Sequence, residues 1–438
     1  MQQLIWNVCT LERGGVIALF NPFWPDPVYI DAECFDRFQQ SEWSDAELSA
    51  LNEHRLVTVG GANDIADFRR EYQLEKEVMT LYLILTRTCN LRCNYCFEVE
   101  RHGVRQYDQE MMSLEVAIRS IDIFAQEYAR NQSSWNYQVI LYGGEPVLNW
   151  KVLMATVEYM EQLKSEGRLP QDLRIALNTN GTLVDQKKTE FLALHNVSVA
   201  VSIDGDRTIH DRNRLDCKGK GSYDRALAGY NQLADSGATV CPSVTVSPET
   251  VGRTLAIVQG LHVELGFNAV GLNPMMGAPD DFESGPEVYH ELIASDIIET
   301  FKWARELGIA EDRALRKVNS MMSLKPHTAD CCAYGQQIVI QPDGSIGICH
   351  ATSDYNYCTV WDYQSPYETE QVANWTDRLP LFHESCADCE AIFICGGGCA
   401  HSALLLHEDL EALDSGFCVH SKSMLNFLIW DIFDKMTS

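Results

Sequence analysis

The chain has 438 residues, 46% hydrophobic and 22% charged, which suits two or three globular cores better than one. Its 34 basic and 62 acidic side chains leave a net charge of −28, which disfavours nucleic acid and anionic membrane as partners and permits a basic peptide. No uninterrupted apolar run reaches the roughly 18 residues of a membrane span, and residues 1–7 lack the basic and apolar regions of an export signal.

The sixteen cysteines are therefore expected as clustered thiols in a reducing cytoplasm, there for metal and not for disulfides. Residues 1–77 form a small α+β module. Residues 16–20 and 28–30 are short β-type runs, split by the turn-like stretch 21–27. Asp31 is placed to cap a short helix through Phe38, and Ser44-Asp-Ala-Glu47 is a capping box opening a helix to about His54. Residues 56–59 supply a third strand, stopped by Gly60-Gly61.

The stretch Thr86-Arg-Thr-Cys-Asn-Leu-Arg-Cys-Asn-Tyr-Cys-Phe97 follows the apolar run 81–85 and carries Cys89, Cys93 and Cys96 at C-x3-C-x2-C spacing. Ferredoxin and zinc loops supply four ligands. Three thiolates on one short loop hold three irons of a cubane and leave the fourth iron open. A zinc knuckle or a set of buried thiols is the alternative. Strand-like runs recur at 81–86, 137–142, 173–178, 197–203, 239–246 and 269–273, with helical patterns between them, as at 111–128, 152–164, 222–234 and 287–307. Six such repeats imply a parallel sheet with right-handed crossovers, open or barrel-like.

Polar motifs end three of these strands. Gly143-Gly144-Glu145-Pro146 has glycines for close backbone approach and a carboxylate as acceptor for an ammonium. Asn178-Thr-Asn180-Gly and Ser202-Ile-Asp204-Gly follow the next two, and then come His210-Asp-Arg-Asn-Arg214 and Gly219-Lys-Gly-Ser-Tyr223.

Together these residues resemble radical S-adenosylmethionine (SAM) enzymes, with Tyr95 at that family's aromatic position between the second and third cysteines. The resemblance implies a partial (β/α)6 TIM-like barrel over residues 78–310, with chemistry at the C-terminal ends of its strands. It implies that Cys89, Cys93 and Cys96 carry a [4Fe–4S] cluster whose open iron chelates the amino and carboxylate groups of SAM. Reduction of that cluster would cleave SAM to a 5′-deoxyadenosyl radical that abstracts hydrogen. By the same resemblance Gly143, Gly144, Glu145 and Pro146 bind the SAM amino group and Ser202 the ribose. Asn178, Asn180 and Asp204 line the cofactor face, and Arg214 pairs with a carboxylate or locks the loop. His210 and Asp211 either serve the site or brace a loop.

From Cys331 the cysteines crowd again. Cys332, Gly344, Cys349, Cys386, Cys389, Cys395, Cys399 and Cys418 follow in the order C-x11-G-x4-C, C-x2-C-x5-C-x3-C, C. Residues 338–340 and 346–348 make a hairpin about Pro342-Asp343-Gly344 that would bring Cys332 and Cys349 together. The pattern resembles the SPASM domain over residues 311–438, which implies two auxiliary [4Fe–4S] clusters and three clusters in all. Cys332, Cys349 and Cys399 would hold the first, closed by Cys331, Cys358 or substrate. Cys386, Cys389, Cys395 and Cys418 would hold the second. Two structural zinc sites are the alternative. Cys9, Cys34, Cys217 and Cys241 have no partner at ligand spacing and are expected as free buried thiols. The Met275-Met276 and Met321-Met322 pairs are expected as core or pocket lining.

The N-terminal β-β-α-α-β order is similar to the winged-helix-like modules of radical SAM peptide maturases, which bind a leader peptide as an added strand; a generic cap would share that order. The preferred reading is a maturase that makes a carbon–carbon or thioether crosslink in a precursor peptide, with a flavodoxin- or ferredoxin-type electron donor. A sulfatase maturase that oxidises Cys or Ser to formylglycine fits the His210–Arg214 series. Against it stand the long segment before the cysteine loop and His350, which occupies the position of that group's catalytic Asp. His350 becomes the candidate base. Oxidation or epimerisation of a small molecule is the third reading. A bare electron carrier would not need the SAM motifs.

Overall fold

The structure, a computed structural model, describes residues 3–4, 8–40, 42–58, 68–70, 76–96, 110–131, 136–275, 286–352 and 355–438. Val59, the Gly60-Gly61 stop, Phe97 and Met276 lie outside the described residues.

The apolar runs become strands Thr80–Thr86, Gln138–Gly143, Arg174–Thr179, Ser198–Ser202, Val240–Val246 and Ala269–Pro274, each within one residue of its expected bounds. They lie side by side in chain order, all parallel. The first is buried along nearly its whole length, as a central parallel strand must be. Helices Leu114–Asn131, Trp150–Ser165, Gln186–Leu194, Tyr223–Asp235 and Thr254–Leu265 return the chain between strands. Right-handed crossovers that always step the same way put these helices on one face of the sheet. A doubly wound sheet reverses direction part-way. This one does not, so its other face is left to enclose a cavity, as in a barrel.

The C-terminal region is not a separate bead. Strand Gln337–Ile340 adds in parallel to the free side of Thr80–Thr86, and Ser345–Gly347 and Asn356–Thr359 continue the sheet antiparallel. The expected hairpin turn has Gly344 at φ 89°, where glycine is favoured. At the opposite edge Ala310–Glu311 pairs with Ala269–Pro274, so the expected 310/311 boundary falls inside a strand. Helix Ser415–Thr437, capped by Asp414, packs along helix Pro286–Glu306.

In the N-terminal module the strands are Cys9–Arg13, Val16–Asn21 and Trp24–Asp31, a three-stranded antiparallel sheet. Sequence reading missed the first strand, although Gly14-Gly15, both at positive φ, is a hairpin signal. It also took residues 21–27 for a turn. Pro25 and Pro27 instead lie in Trp24–Asp31, which is an edge strand and therefore tolerates a missing N–H. Val57–Thr58 pairs with Gln3–Leu4, apart from that sheet. Helices Ala32–Gln39 and Asp45–Glu53 carry the expected caps at Asp31 and Ser44.

Alternation splits the module's middle strand between two cores. Ile17 and Leu19 pack with Phe38 and Leu51, while Ala18 and Phe20 join the main core. Tyr29 packs on Phe433, and Arg13 pairs with Asp434 while lying 4.5 Å from the Trp430 ring centroid, so the module is docked on the C-terminal helix. Ser44→Ala removes the hydroxyl half of the capping box, leaving the Ser44 N–H to Glu47, and should lower the module's unfolding free energy by about 1 kcal/mol. Hydrogen exchange of helix Asp45–Glu53 reads this directly, and unchanged protection would contradict the cap's role.

Candidate active site

The cysteine loop leaves the first strand at its C-terminal end. Cys89, Cys93 and Cys96 line a cavity of about 1210 Å³ together with Tyr95, Gly143, Gly144, Asn178, Asn180, Ser202 and Arg214.

The two glycines are dictated by the loop itself. A Cβ on Gly143 would stand 2.2 Å from the Thr86 carbonyl oxygen, and one on Gly144 2.5 Å from that of Thr88. In their absence the Gly144 N–H donates to Thr86 O (2.8 Å) and the Glu145 N–H to Thr88 O (2.9 Å). The close approach expected toward a ligand is thus made first to the cysteine loop's own backbone. Glu145 does not face the cavity. It is fully buried, and its carboxylate accepts from the Asn180 N–H (2.8 Å), Thr179 Oγ1 (2.7 Å) and the Val147 N–H (3.1 Å). Burial raises its pKa against those bonds. What this segment presents to the cavity is Gly143 and Gly144, while Pro146 is buried at the start of a short 3₁₀ helix.

The later motifs hold the loop from its other side. Leu91–Cys93 pairs antiparallel with Arg214–Asp216, Cys93 opposite Arg214, and Asn94 bonds to the carbonyls of Asn213 (3.0 Å) and Arg212 (2.9 Å). Arg214 makes a bidentate pair with Asp204 at 2.9 and 3.0 Å. The buried Asp204 also accepts from the Tyr95 hydroxyl and the Thr245 N–H. Burial opposes its charge, yet the Arg214 guanidinium holds the carboxyl below its ordinary range. Asn180 donates to Asn90 (2.9 Å), which in turn donates to Thr182 (2.8 Å). His210 Nε2 lies 3.0 Å from Ser222 Oγ, which donates to Arg214 O, and Asp211 accepts from the Tyr223 N–H. His210 and Asp211 therefore brace the loop.

Burial pushes the Cys89 thiol up, and the Cys93 thiol to about 11 even with Arg214 nearby. Thiols so placed become thiolates when a metal takes them. Among the described residues no three or more His, Cys, Asp or Glu side chains converge tightly enough for a single ion.

The same cavity runs on to Cys331, Cys332, Cys399 and His350. Burial, and then the charges of Cys332, Cys349 and Cys399, push the Cys331 thiol far up, which places these four together. Cys358 lies off the cavity on the outermost strand, beside Asp362. A second group forms around Cys395. Burial and then Cys395 and Cys389 push Cys386 to about 12, and Cys418 reaches about 12 from burial and the charges of Cys395, Cys386 and Cys389. Gly396, Gly397 and Gly398, all at positive φ, carry the chain from this group to Cys399 in the other. His350 stacks on Tyr82 (4.7 Å between centroids) and meets Tyr142 edge-on, and burial lowers its pKa to about 4.

Of the cysteines expected as buried free thiols, Cys217 is exposed, and Cys9, Cys34 and Cys241 are only partly buried. Met275 lines the cavity and Met321 the core, whereas Met322 is 69% exposed. Sequence reading missed Ser243, Thr245, Ser247 and Asn273, which line the cavity at the ends of the last two parallel strands. The alternating polar positions 243, 245 and 247 were the available signal.

The Radical SAM superfamily model matches residues 83–256, from the first strand into helix Thr254–Leu265. Residues 83–256 carry a Radical SAM domain. Its family binds SAM and carries a [4Fe–4S] cluster. The enzyme is similar, at 22% identity over 418 residues, to the radical SAM cyclopropyl synthase TigE of Paramaledivibacter caminithermalis, covering 90% of this chain and 84% of that protein. It is 23% identical over 332 residues to a cysteine-type anaerobic sulfatase-maturating enzyme of Clostridium perfringens, with coverages of 71% and 85%. Among solved structures it resembles native anSMEcpe with bound AdoMet and Kp18Cys peptide, with TM-score 0.66 and 19% identity over 81% of this chain and 98% of that one. Streptococcus suis SuiB bound to S-adenosylmethionine gives 0.52 and 14% over 95% and 99%. The two structures share its fold. Among the described residues no helix is long and apolar enough to cross a membrane.

Proposed function

We propose that the enzyme is a cytoplasmic peptide maturase that oxidises a precursor peptide by hydrogen abstraction and closes a crosslink within it. The observation that carries this reading is the N-terminal module, docked on the same core as the active site. Its edge strand Trp24–Asp31 borders an apolar groove lined by Leu19, Val28, Ile30, Phe38, Trp43 and Leu51. An extended peptide can add to such an edge and seat alternate side chains in the groove. The peptide bound to the neighbour anSMEcpe and the peptide-directed chemistry of sulfatase maturation point the same way. On this reading residues 1–77 recognise the peptide, 78–310 carry the radical chemistry, and 311–438 are a SPASM domain.

Cys89, Cys93 and Cys96 would hold the SAM-binding cluster, and Cys386, Cys389, Cys395 and Cys418 a second auxiliary one. Cys331 joins Cys332, Cys349 and Cys399 to close the first auxiliary cluster, because it lies among them and Cys358 does not. When bound, the first cluster and SAM supply a carbon radical able to take hydrogen from an unactivated carbon. Gly143, Gly144, Asn178, Asn180 and Ser202 face that space and orient SAM. Glu145, Pro146 and Asp204 support it from beneath, Arg214 lines its wall while pairing with Asp204, and Tyr95 ties the loop to Asp204. His350, on the wall between the two cysteine regions, is the candidate base for the proton released as the substrate is oxidised, with burial opposing its protonation. A flavodoxin- or ferredoxin-type protein supplies electrons.

A formylglycine-forming maturase is the second reading, favoured by the Clostridium perfringens relative. The deciding experiment incubates the anaerobically reconstituted enzyme, SAM and reductant with each short peptide encoded beside its gene. Loss of two hydrogens from one peptide, matched by 5′-deoxyadenosine and without a carbonyl trapped by a hydrazine, is the expected result. A trapped carbonyl would favour formylglycine. SAM cleavage with every peptide unchanged would overturn the proposal.

A further inference from the structure

Lys317 lies in the middle of helix Asp312–Ser323 and is 1% exposed. Its ammonium donates to the carbonyls of Ile394 and Cys395, both at 3.0 Å, lies 3.5 Å from Ser421 Oγ, and stands 4.5 Å from the centre of the Phe417 ring. Among the described residues no carboxylate lies within ion-pair distance of it. The nearby Asp330 is engaged by His327 and Arg316 instead. Burial lowers the Lys317 pKa, as do Arg316 and Arg313 on the same helix, while the charges of Asp330 and Cys395 favour the ammonium.

A buried ammonium without an anionic partner is strongly unfavourable. Carbonyls and an aromatic face offset part of that, but a methionine would fill the same space without the penalty. The position explains the charge. The two carbonyls belong to the turn that leads through Gly396–Gly398 to Cys399, so Lys317 braces the one segment that carries a thiol of each auxiliary group. Phe417, under the ammonium, precedes Cys418, and Asp330 precedes Cys331.

We infer that Lys317 is the positioning cation shared by the two auxiliary clusters, supplying the positive charge that offsets their thiolates and favours their one-electron reduction. This rests on the proposal that both thiol groups hold [4Fe–4S] clusters. Such a cluster gains negative charge when it accepts an electron, and a buried cation bonded to the backbone of one of its ligands, as Lys317 is to Cys395, stabilises the reduced form more than the oxidised one. Lys317 acts through the ligand-bearing backbone and its charge, not by touching substrate.

The test compares the reconstituted full chain with K317Q, which keeps hydrogen-bond donors for the two carbonyls but no charge, and K317R, which keeps the charge. Iron per chain is measured together with EPR-monitored redox titrations of the cluster signals. The wild type is expected to carry three clusters and K317R to match it. In K317Q at least one auxiliary midpoint should fall by the equivalent of a tenfold weaker reduction equilibrium, about 59 mV for one electron, or auxiliary iron should be lost while the cluster of the Cys89 loop remains. K317Q with full iron and unchanged midpoints would overturn the inference, as would equal iron loss in K317Q and K317R, which would mean that shape and not charge matters. A wild-type chain that takes up one cluster alone would overturn the auxiliary-cluster reading, and this inference with it.

Discussion

Cys89→Ala is expected to reduce 5′-deoxyadenosine release to background, whereas Cys386→Ala should keep SAM cleavage and lose the modified product. Cys89 opens the loop and is fixed there, its sulfur accepting from the Leu91 N–H at 3.4 Å. With three thiols and no fourth nearby, removing one leaves two, too few to hold a cubane with an open iron. Cys386 sits in the Cys395 group, which does not line the cavity. Its loss therefore leaves the cavity and the cysteine loop intact while removing the auxiliary cluster proposed as electron acceptor. Chromatography of deoxyadenosine, mass analysis of the peptide and iron content per chain separate the two. Retained SAM cleavage in Cys89→Ala would sink the cluster assignment. Loss of all turnover in a folded Cys386→Ala would sink the division of labour between the cysteine groups.

The sequence made the parallel sheet legible because each of its strands is an apolar run that a single residue shift barely alters, and because each motif follows its strand directly. It made the cysteine loop legible because a metal site fixes ligand spacing. What it hid depended on packing between distant segments. Glu145 looks like an outward acceptor in Gly-Gly-Glu-Pro, but its fate was decided by Thr179 and Asn180, 34 and 35 residues away. Pro25 and Pro27 look like turn residues unless one knows that their strand lies at an edge. Cys331 and Cys358 were equal candidates by spacing. The hairpin that joins the central sheet separates them, carrying Cys358 outward while Cys331 stays at the cavity. Lys317 gives no local signal at all, since its meaning lies in carbonyls more than 70 residues away.

Arg214→Met should lower the unfolding free energy of the metal-free chain by about 3–5 kcal/mol, because it strands the carboxylate of Asp204 in the interior. Asp204 is fully buried and Arg214 is 8% exposed, so the pair is shielded from bulk water, although Arg214 also lines the cavity. The Tyr95 hydroxyl and the Thr245 N–H would still donate to Asp204, which keeps the loss toward the lower end. The same substitution loosens the ribbon in which Arg214 pairs with Cys93, so iron uptake by the cysteine loop should fall as well. Adding Asp204→Asn removes the stranded charge and should recover much of the stability, since a buried pair replaced as a pair is often close to neutral. It should not recover iron uptake to the same degree, because the guanidinium that faces Cys93 is still missing. Urea unfolding of the metal-free single and double variants reads the first effect, and iron per chain after reconstitution the second. An unchanged urea midpoint in Arg214→Met would show that the pair does not hold the loop. If the double variant recovered stability and iron together, the role of Arg214 would reduce to neutralising Asp204. Recovery of stability alone would mean that one arginine does two things, balancing a buried acid beneath the SAM pocket and setting the strand that presents the second cluster thiol.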